Sequence, residues 1–363
     1  MNNDSKNYKF SIDILRVLAG LAVVTIHVAA PFVFYPPFFQ SPTFWFSNIL
    51  DSLSRIAVPL FILISGYLLL DPKKSYTLSS FFRKRILRIV FPLITWSVVY
   101  FFWTILFIHG HFYLNSILPA IILSKIYYHL YFLYLILGLY MLIPLFIVYF
   151  KYASQTNKRY LVMISFLFSI SMSFTKGFII RTLDPFQTIF TFFIPYIPYF
   201  LAGGYLRGLK EPKIKPLFLK LAFLIAAFLT VMLNYWYMLY TGFTKTLIIV
   251  SSNYSYFLDY FSPNVVIMSL ILFILAARSK KLESIKNTRL IIPVRQLSAA
   301  TFGIYLVHPL ILDFLDRFTF LDLARIPRPV WIFLAIKICI TFILSFAAII
   351  ALKKLPFIKD LIG

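Results

Sequence analysis

The chain has 363 residues, is 61% hydrophobic and 20% aromatic, and has a mean hydropathy of +0.87. No soluble domain of this size buries so much apolar surface, so the chain reads as an all-α integral membrane protein. The formal charge of +23, from 35 Lys+Arg against 12 Asp+Glu, would suit nucleic acid, but the cations sit in short loops between apolar runs and mark membrane topology instead.

Ten spans are predicted in chain order, at 11–34, 44–70, 89–108, 129–150, 160–178, 188–207, 217–239, 258–277, 296–315 and 330–352. Each is near the ~20 residues needed to cross hydrocarbon. The apolar stretch 113–124 is too short for a span and is expected to be re-entrant or interfacial. With both termini cytoplasmic, the inner segments hold 25 Lys and Arg, and 9 fall elsewhere besides Arg16. That bias predicts both termini inside. The first apolar segment carries Asp13 and Arg16 and lacks a small-residue cleavage site, so it is expected to stay as a helix. One membrane domain over 1–363, with its bundle at about 10–352, is expected. The single cysteine, Cys339, permits neither an internal disulfide nor a cysteine-based metal site.

Arg16 and His27 stand eleven residues apart on the first span. At about 100° and 1.5 Å per residue they share one face, roughly 16 Å apart. Polar groups on one stripe of a span ask for a function, here a phosphate anchor near one surface and a proton-transfer group deeper in. Imidazole titrates near neutrality and can act as a general base or be acylated as a nucleophile; a hydrogen-bonded structural histidine is the bland alternative.

Arg85 and Arg88 lie at the inner side of the membrane just before the third span, in Phe81-Phe82-Arg83-Lys84-Arg85-Ile86-Leu87-Arg88. Their forks suit the phosphates of a polyanionic ligand, although a plain positive-inside loop on anionic lipid has the same composition. Arg55 follows Asp51 by one turn on the second span. It either completes an internal ion pair or holds an anionic or sugar-like acceptor. His129, Tyr305 and His308 fall at comparable depth in the outer half, where interface anchoring is the competing explanation. The pair His109 and His111 has no third ligand nearby in the sequence, and no metal site is expected.

These blocks together resemble the acyltransferase 3 membrane family. The Arg16–His27 stripe, Val58-Pro-Leu-Phe-Ile-Leu-Ile-Ser65-Gly66, Arg85-Ile-Leu-Arg88 with Pro92, His129-Leu-Tyr-Phe132, and Ser298 to Gly303-Ile-Tyr305-Leu-Val-His308-Pro309 occur in the family's order over about residues 8–352. Arg55 ahead of Val58-Pro-Leu-Phe61 is most similar to the bacterial branch related to enterobacterial-common-antigen O-acetyltransferase. The resemblance implies a bacterial plasma-membrane enzyme that moves an acyl group, usually acetyl, from cytoplasmic acyl-CoA to a hydroxyl of an envelope glycan or lipid-linked sugar. It also implies His27 as the catalytic residue and Arg16, Arg85 and Arg88 as donor ligands. Arg55, His129, Tyr305 and His308 are expected to bind or position the substrate. Acetyl-CoA is then a donor substrate, and no permanently bound cofactor is expected. Tyr131 stands where many relatives have Trp. No extracytoplasmic hydrolase-like domain is expected, so the chain acylates its acceptor directly or hands the group to a separate protein. The competing class is an exporter or flippase of envelope polysaccharide, for which Pro195 and Pro198 would break a helix at a midplane site.

Overall fold

The computed structural model describes residues 9–72, 78–109, 119–123, 126–179, 188–209, 214–241, 255–318 and 329–355. In chain order the helices are α1 (Phe10–Val33), α2 (Pro42–Ser54), α3 (Ala57–Leu69), α4 (Leu78–Trp103), a short helical turn at 119–122, α5 (Tyr131–Met141), α6 (Ile143–Tyr152), α7 (Gln155–Phe174), α8 (Ile197–Gly208), α9 (Pro216–Tyr240), α10 (Pro263–Ala277), α11 (Lys280–Glu283), α12 (Thr288–Phe318) and α13 (Val330–Leu352). No strand occurs among the described residues. The protein is all-α.

Among the described residues, eight helical runs are long and apolar enough to cross a membrane, and α5 with α6, bent by 48°, makes a ninth. These match nine of the ten expected spans. The remaining segment, 188–207, differs: a 3-10 turn at Ile194–Tyr196 leads into α8, which has only twelve residues. At 1.5 Å per residue α8 covers about 18 Å, short of the ~30 Å hydrocarbon core. Pro195 and Pro198, which sit at the N-terminal positions of these two elements, account for the interruption. Most of the stretch 113–124 lies outside the described residues.

Local chemistry sets many of the boundaries. Ser41 caps α2, its Oγ accepting from the Phe44 amide at 3.2 Å with Pro42 at the first position. Ser154 caps α7 in the same way through the Asn157 amide at 3.1 Å. Prolines open α9 and α10.

The chain forms two compact units. The first comprises 1–61 and 210–351, the second 62–209 and 352–363, and the boundary falls inside α3. In the first, α1 packs on α2 and α12, and α9 packs on α10 and α2. A buried polar ladder joins three of these helices. The Asn48 amide donates to the Val231 carbonyl at 3.0 Å, Asn234 donates to Asn48 Oδ1 at 2.7 Å, and Asn264 donates to Thr230 Oγ1 at 3.0 Å. In a membrane, such bonds and close packing replace the hydrophobic drive that assembles soluble cores.

The second unit is joined differently. A Cβ on Gly66 would overlap the Phe200 carbonyl oxygen, and one on Gly203 would overlap the Leu63 carbonyl oxygen. The backbones of α3 and α8 therefore touch, which no larger residue permits. Arg207 at the end of α8 closes the contact, bonding Asp71 at 2.6 Å and the Tyr67 carbonyl at 3.1 Å.

Candidate functional site

The face of α1 that carries Arg16 and His27 is not its apolar outer face. Arg16, His27, Ala30 and Phe34 are partly exposed, as is a separate apolar row of Ile14, Val17, Leu18 and Leu21. Six residues separate Leu21 from His27, which puts the two rows about 120° apart round the helix. His27 turns towards other helices of the first unit.

It meets His308 on α12. The two imidazoles stack with centroids 5.2 Å apart and planes inclined by 28°. Tyr305, one turn earlier, lies 6.1 Å from His308 between ring centroids. From α2, Arg55 reaches the electrostatic neighbourhood of His27. Its guanidinium is anchored by Asp51, which is fully buried and 2.6 Å away. An imidazole, a second imidazole, a tyrosine and a buried-anchored guanidinium therefore come from three helices of one unit.

The partners run alongside each other. Asp13 accepts from Ser298 Oγ at 2.5 Å, Gly20 lies against Thr301, and His27 lies against His308. Residue numbers rise together, so α1 and α12 are parallel. Arg16, with 35% of its side chain exposed, stands 3.6 Å from Asp13 at the other end of this seam. The eleven-residue rise puts it ~16 Å from His27 along α1.

Prolines recur at one spacing around these groups. Pro31, Pro59, Pro92 and Pro309 each lie four residues beyond His27, Arg55, Arg88 and Tyr305 respectively. Proline has no N–H, so the helix itself offers no donor to the carbonyl four residues earlier. This signal was present in the sequence, and periodicity of apolar residues does not reveal it. The Asp13–Ser298 bond is a second feature that sequence spacing misses, because its partners are 285 residues apart.

The remaining candidates belong to the second unit. Arg85 lies over the Tyr140 ring, 5.3 Å from its centroid, and Arg88 is exposed. His129 is buried just before α5, edge-on to Tyr100 at 4.7 Å and to Tyr127 at 5.6 Å. Tyr131 packs against Phe192 at 6.2 Å. The structure thus brings His27, His308, Tyr305 and Arg55 together, with Arg16 further along the same helix pair. It places Arg85, Arg88 and His129 in a different unit. Among the described residues, no group of three His, Cys, Asp or Glu side chains is arranged to hold a metal; the side chain of His109 and the whole of His111 lie outside them.

The model of the acyltransferase domain of the acyltransferase 3 family matches residues 9–350, nearly the whole chain and all the groups just described. Neither the curated proteins nor the solved structures provide a match. With helices long and apolar enough for repeated crossings and a family match of that extent, the chain belongs to the acyltransferase 3 family and is a multi-pass membrane acyltransferase.

Proposed function

We propose that the protein transfers an acyl group, acetyl in the first instance, from cytoplasmic acyl-CoA to a hydroxyl of an envelope glycan or lipid-linked sugar, with His27 as general base. The observation that carries this reading is the His27–His308 stack beside the Asp51-anchored Arg55, on a face of α1 turned away from its apolar row.

The acceptor hydroxyl attacks the thioester carbonyl as His27 takes its proton. The C–O bond forms, the C–S bond breaks, and the proton passes to the departing thiolate. Arg55 supplies a fixed positive charge for the developing oxyanion, because Asp51 holds it in place before the reaction begins. Arg16, Arg85 and Arg88 are each proposed for the phosphates of the donor on the grounds of charge and side-chain geometry. A bacterial plasma membrane and cytoplasmic termini complete the reading.

Membranes containing the protein, incubated with labelled acetyl-CoA and an envelope extract, test it. Label enters an acceptor with the wild type, and His27→Ala lowers transfer at least about 100-fold, the scale of a lost general base, while the variant still inserts. An active His27→Ala overturns the assignment. Polysaccharide export that persists in His27→Ala, with no label transferred by the wild type, identifies a carrier instead.

A further inference from the structure

His308 is fully buried inside α12. Its Nδ1 lies 2.8 Å from the Tyr305 carbonyl oxygen and 3.2 Å from that of Ile304. A carbonyl oxygen only accepts, so Nδ1 carries the hydrogen and donates it. The geometry has a cause in the sequence. In a regular helix the Tyr305 carbonyl would receive the N–H of residue 309, and residue 309 is proline. The helix continues through Pro309 to Phe318, leaving that carbonyl for a side chain to satisfy. His308 satisfies it.

Fixing the hydrogen on Nδ1 has a chemical consequence. In its neutral form His308 has only a lone pair at Nε2, so it accepts there and does not donate. A neutral His308 is therefore excluded as the oxyanion donor. Burial and the bond to the backbone both hold the ring. It presents a fixed plane on which the His27 ring lies, 5.2 Å away and inclined by 28°.

We propose that His308 is a positioning residue, locked as the Nδ1–H tautomer by the carbonyl that Pro309 vacates, and that this lock fixes the ring plane of His27 for proton transfer. The role in transfer rests on the function proposed above; the lock itself does not. A neighbouring group that sets the tautomer and orientation of a reacting imidazole is a recurrent device wherever histidines do chemistry.

Pro309→Ala tests the lock without altering any side chain of the site. Alanine restores the backbone N–H, which competes for the Tyr305 carbonyl and releases His308. In membranes with nitrogen-labelled histidine, 15N NMR should show His308 as the Nδ1–H form in the wild type and a mixture in Pro309→Ala. The variant should be at least as heat-stable as the wild type, because a proline leaves a helix interior, and kcat should fall about tenfold with KM for acetyl-CoA unchanged. His308→Asn keeps an N–H for the carbonyl but removes the ring, and should lose kcat to a similar extent with normal insertion. An Nε2–H form in the wild type, an unchanged spectrum in Pro309→Ala, or wild-type kcat in either variant overturns the proposal. A wild type that transfers no acyl group fails the proposed function alone, since the spectrum still reports the lock.

Discussion

The two units hold their helices together by different means. In the first, side chains tie α1 to α12, α2 to α9, α9 to α10 and α12 to α13, through Ser298 on Asp13, the Asn48–Asn234 and Asn264–Thr230 bonds, and Lys337 on Asp316. In the second, α3 and α8 press backbone on backbone at Gly66 and Gly203. Interhelical hydrogen bonds in membranes contribute on average about 0.6 kcal/mol and at most near 1.7 kcal/mol, because unfolded helices in lipid find other partners. A stack of such bonds is adjustable. A glycine seam against a carbonyl is not, since any Cβ needs backbone to move. The helix contacts of the unit that carries His27 therefore include groups that can also do chemistry.

The largest effect expected from this contrast is at the seam. Gly203→Ala and Gly66→Ala put a methyl into a carbonyl oxygen and should cost about 3 kcal/mol or more, at the upper end of overpacking. Yield of folded, detergent-extracted protein and its melting temperature should both collapse. One glycine of the first unit, Gly20, behaves otherwise. A Cβ there would meet the methyl group of Thr301 at 3.3 Å, a contact that a side chain relieves by shifting a few tenths of an ångström. Gly20→Ala should leave the melting temperature within a few degrees. If both glycine classes respond alike, the distinction between the units fails.

A smaller effect separates the two ion pairs. Asp51 is fully buried and Arg55 is 15% exposed, whereas Asp71 and Arg207 are 6% and 22% exposed. Removing one partner of a buried pair costs about 3–5 kcal/mol in the extreme, and progressively less as water reaches the charges. Asp51→Asn is isosteric and keeps a hydrogen-bonding group, so it should cost about 2 kcal/mol of stability. It should also lower transfer beyond what the lost folded fraction explains, because Arg55 loses its anchor. Asp71→Asn should cost less stability and leave transfer per folded molecule unchanged. Equal specific activities in the two variants would remove Arg55 from the chemistry and leave both pairs as structural.

Apolar run length made nine of the ten spans legible before any coordinates. The tenth failed because hydropathy counts residues without asking whether prolines let them form one helix; Pro195 and Pro198 divide 188–207 into a turn and a short helix. The Arg16–His27 stripe was legible because helical geometry alone fixes it. The stacking of His27 on His308 was not, since those residues are 281 apart in sequence and no single-chain periodicity brings α1 beside α12. Asp51 with Arg55 needed only the i, i+4 rule, and the structure has that pair. What sequence reading left open at His308 was its hydrogen. The proline beside it carried that information, but only a continuous helix through Pro309 makes the freed carbonyl available to the ring.

The finest effect concerns Arg85 and Arg88, where charge alone supports two roles. As donor ligands each would make charge-assisted hydrogen bonds worth about 1.5 kcal/mol or more, so a single alanine should raise KM for acetyl-CoA about tenfold with kcat little changed. As members of a positive-inside loop they would contribute to orientation and lipid contact, and KM would not move. Arg85 carries an additional contact, its cation over Tyr140 at 5.3 Å, worth about 0.5–1 kcal/mol where water remains nearby. Arg85→Lys therefore sharpens the test: it keeps the charge and loses the planar fork. A KM raised by Arg85→Ala and only half restored by Arg85→Lys points to phosphate, which the fork grips with two hydrogen bonds. Full restoration by lysine points to charge alone, and a Tyr140→Leu variant with the same KM as wild type separates either result from simple loss of the aromatic contact.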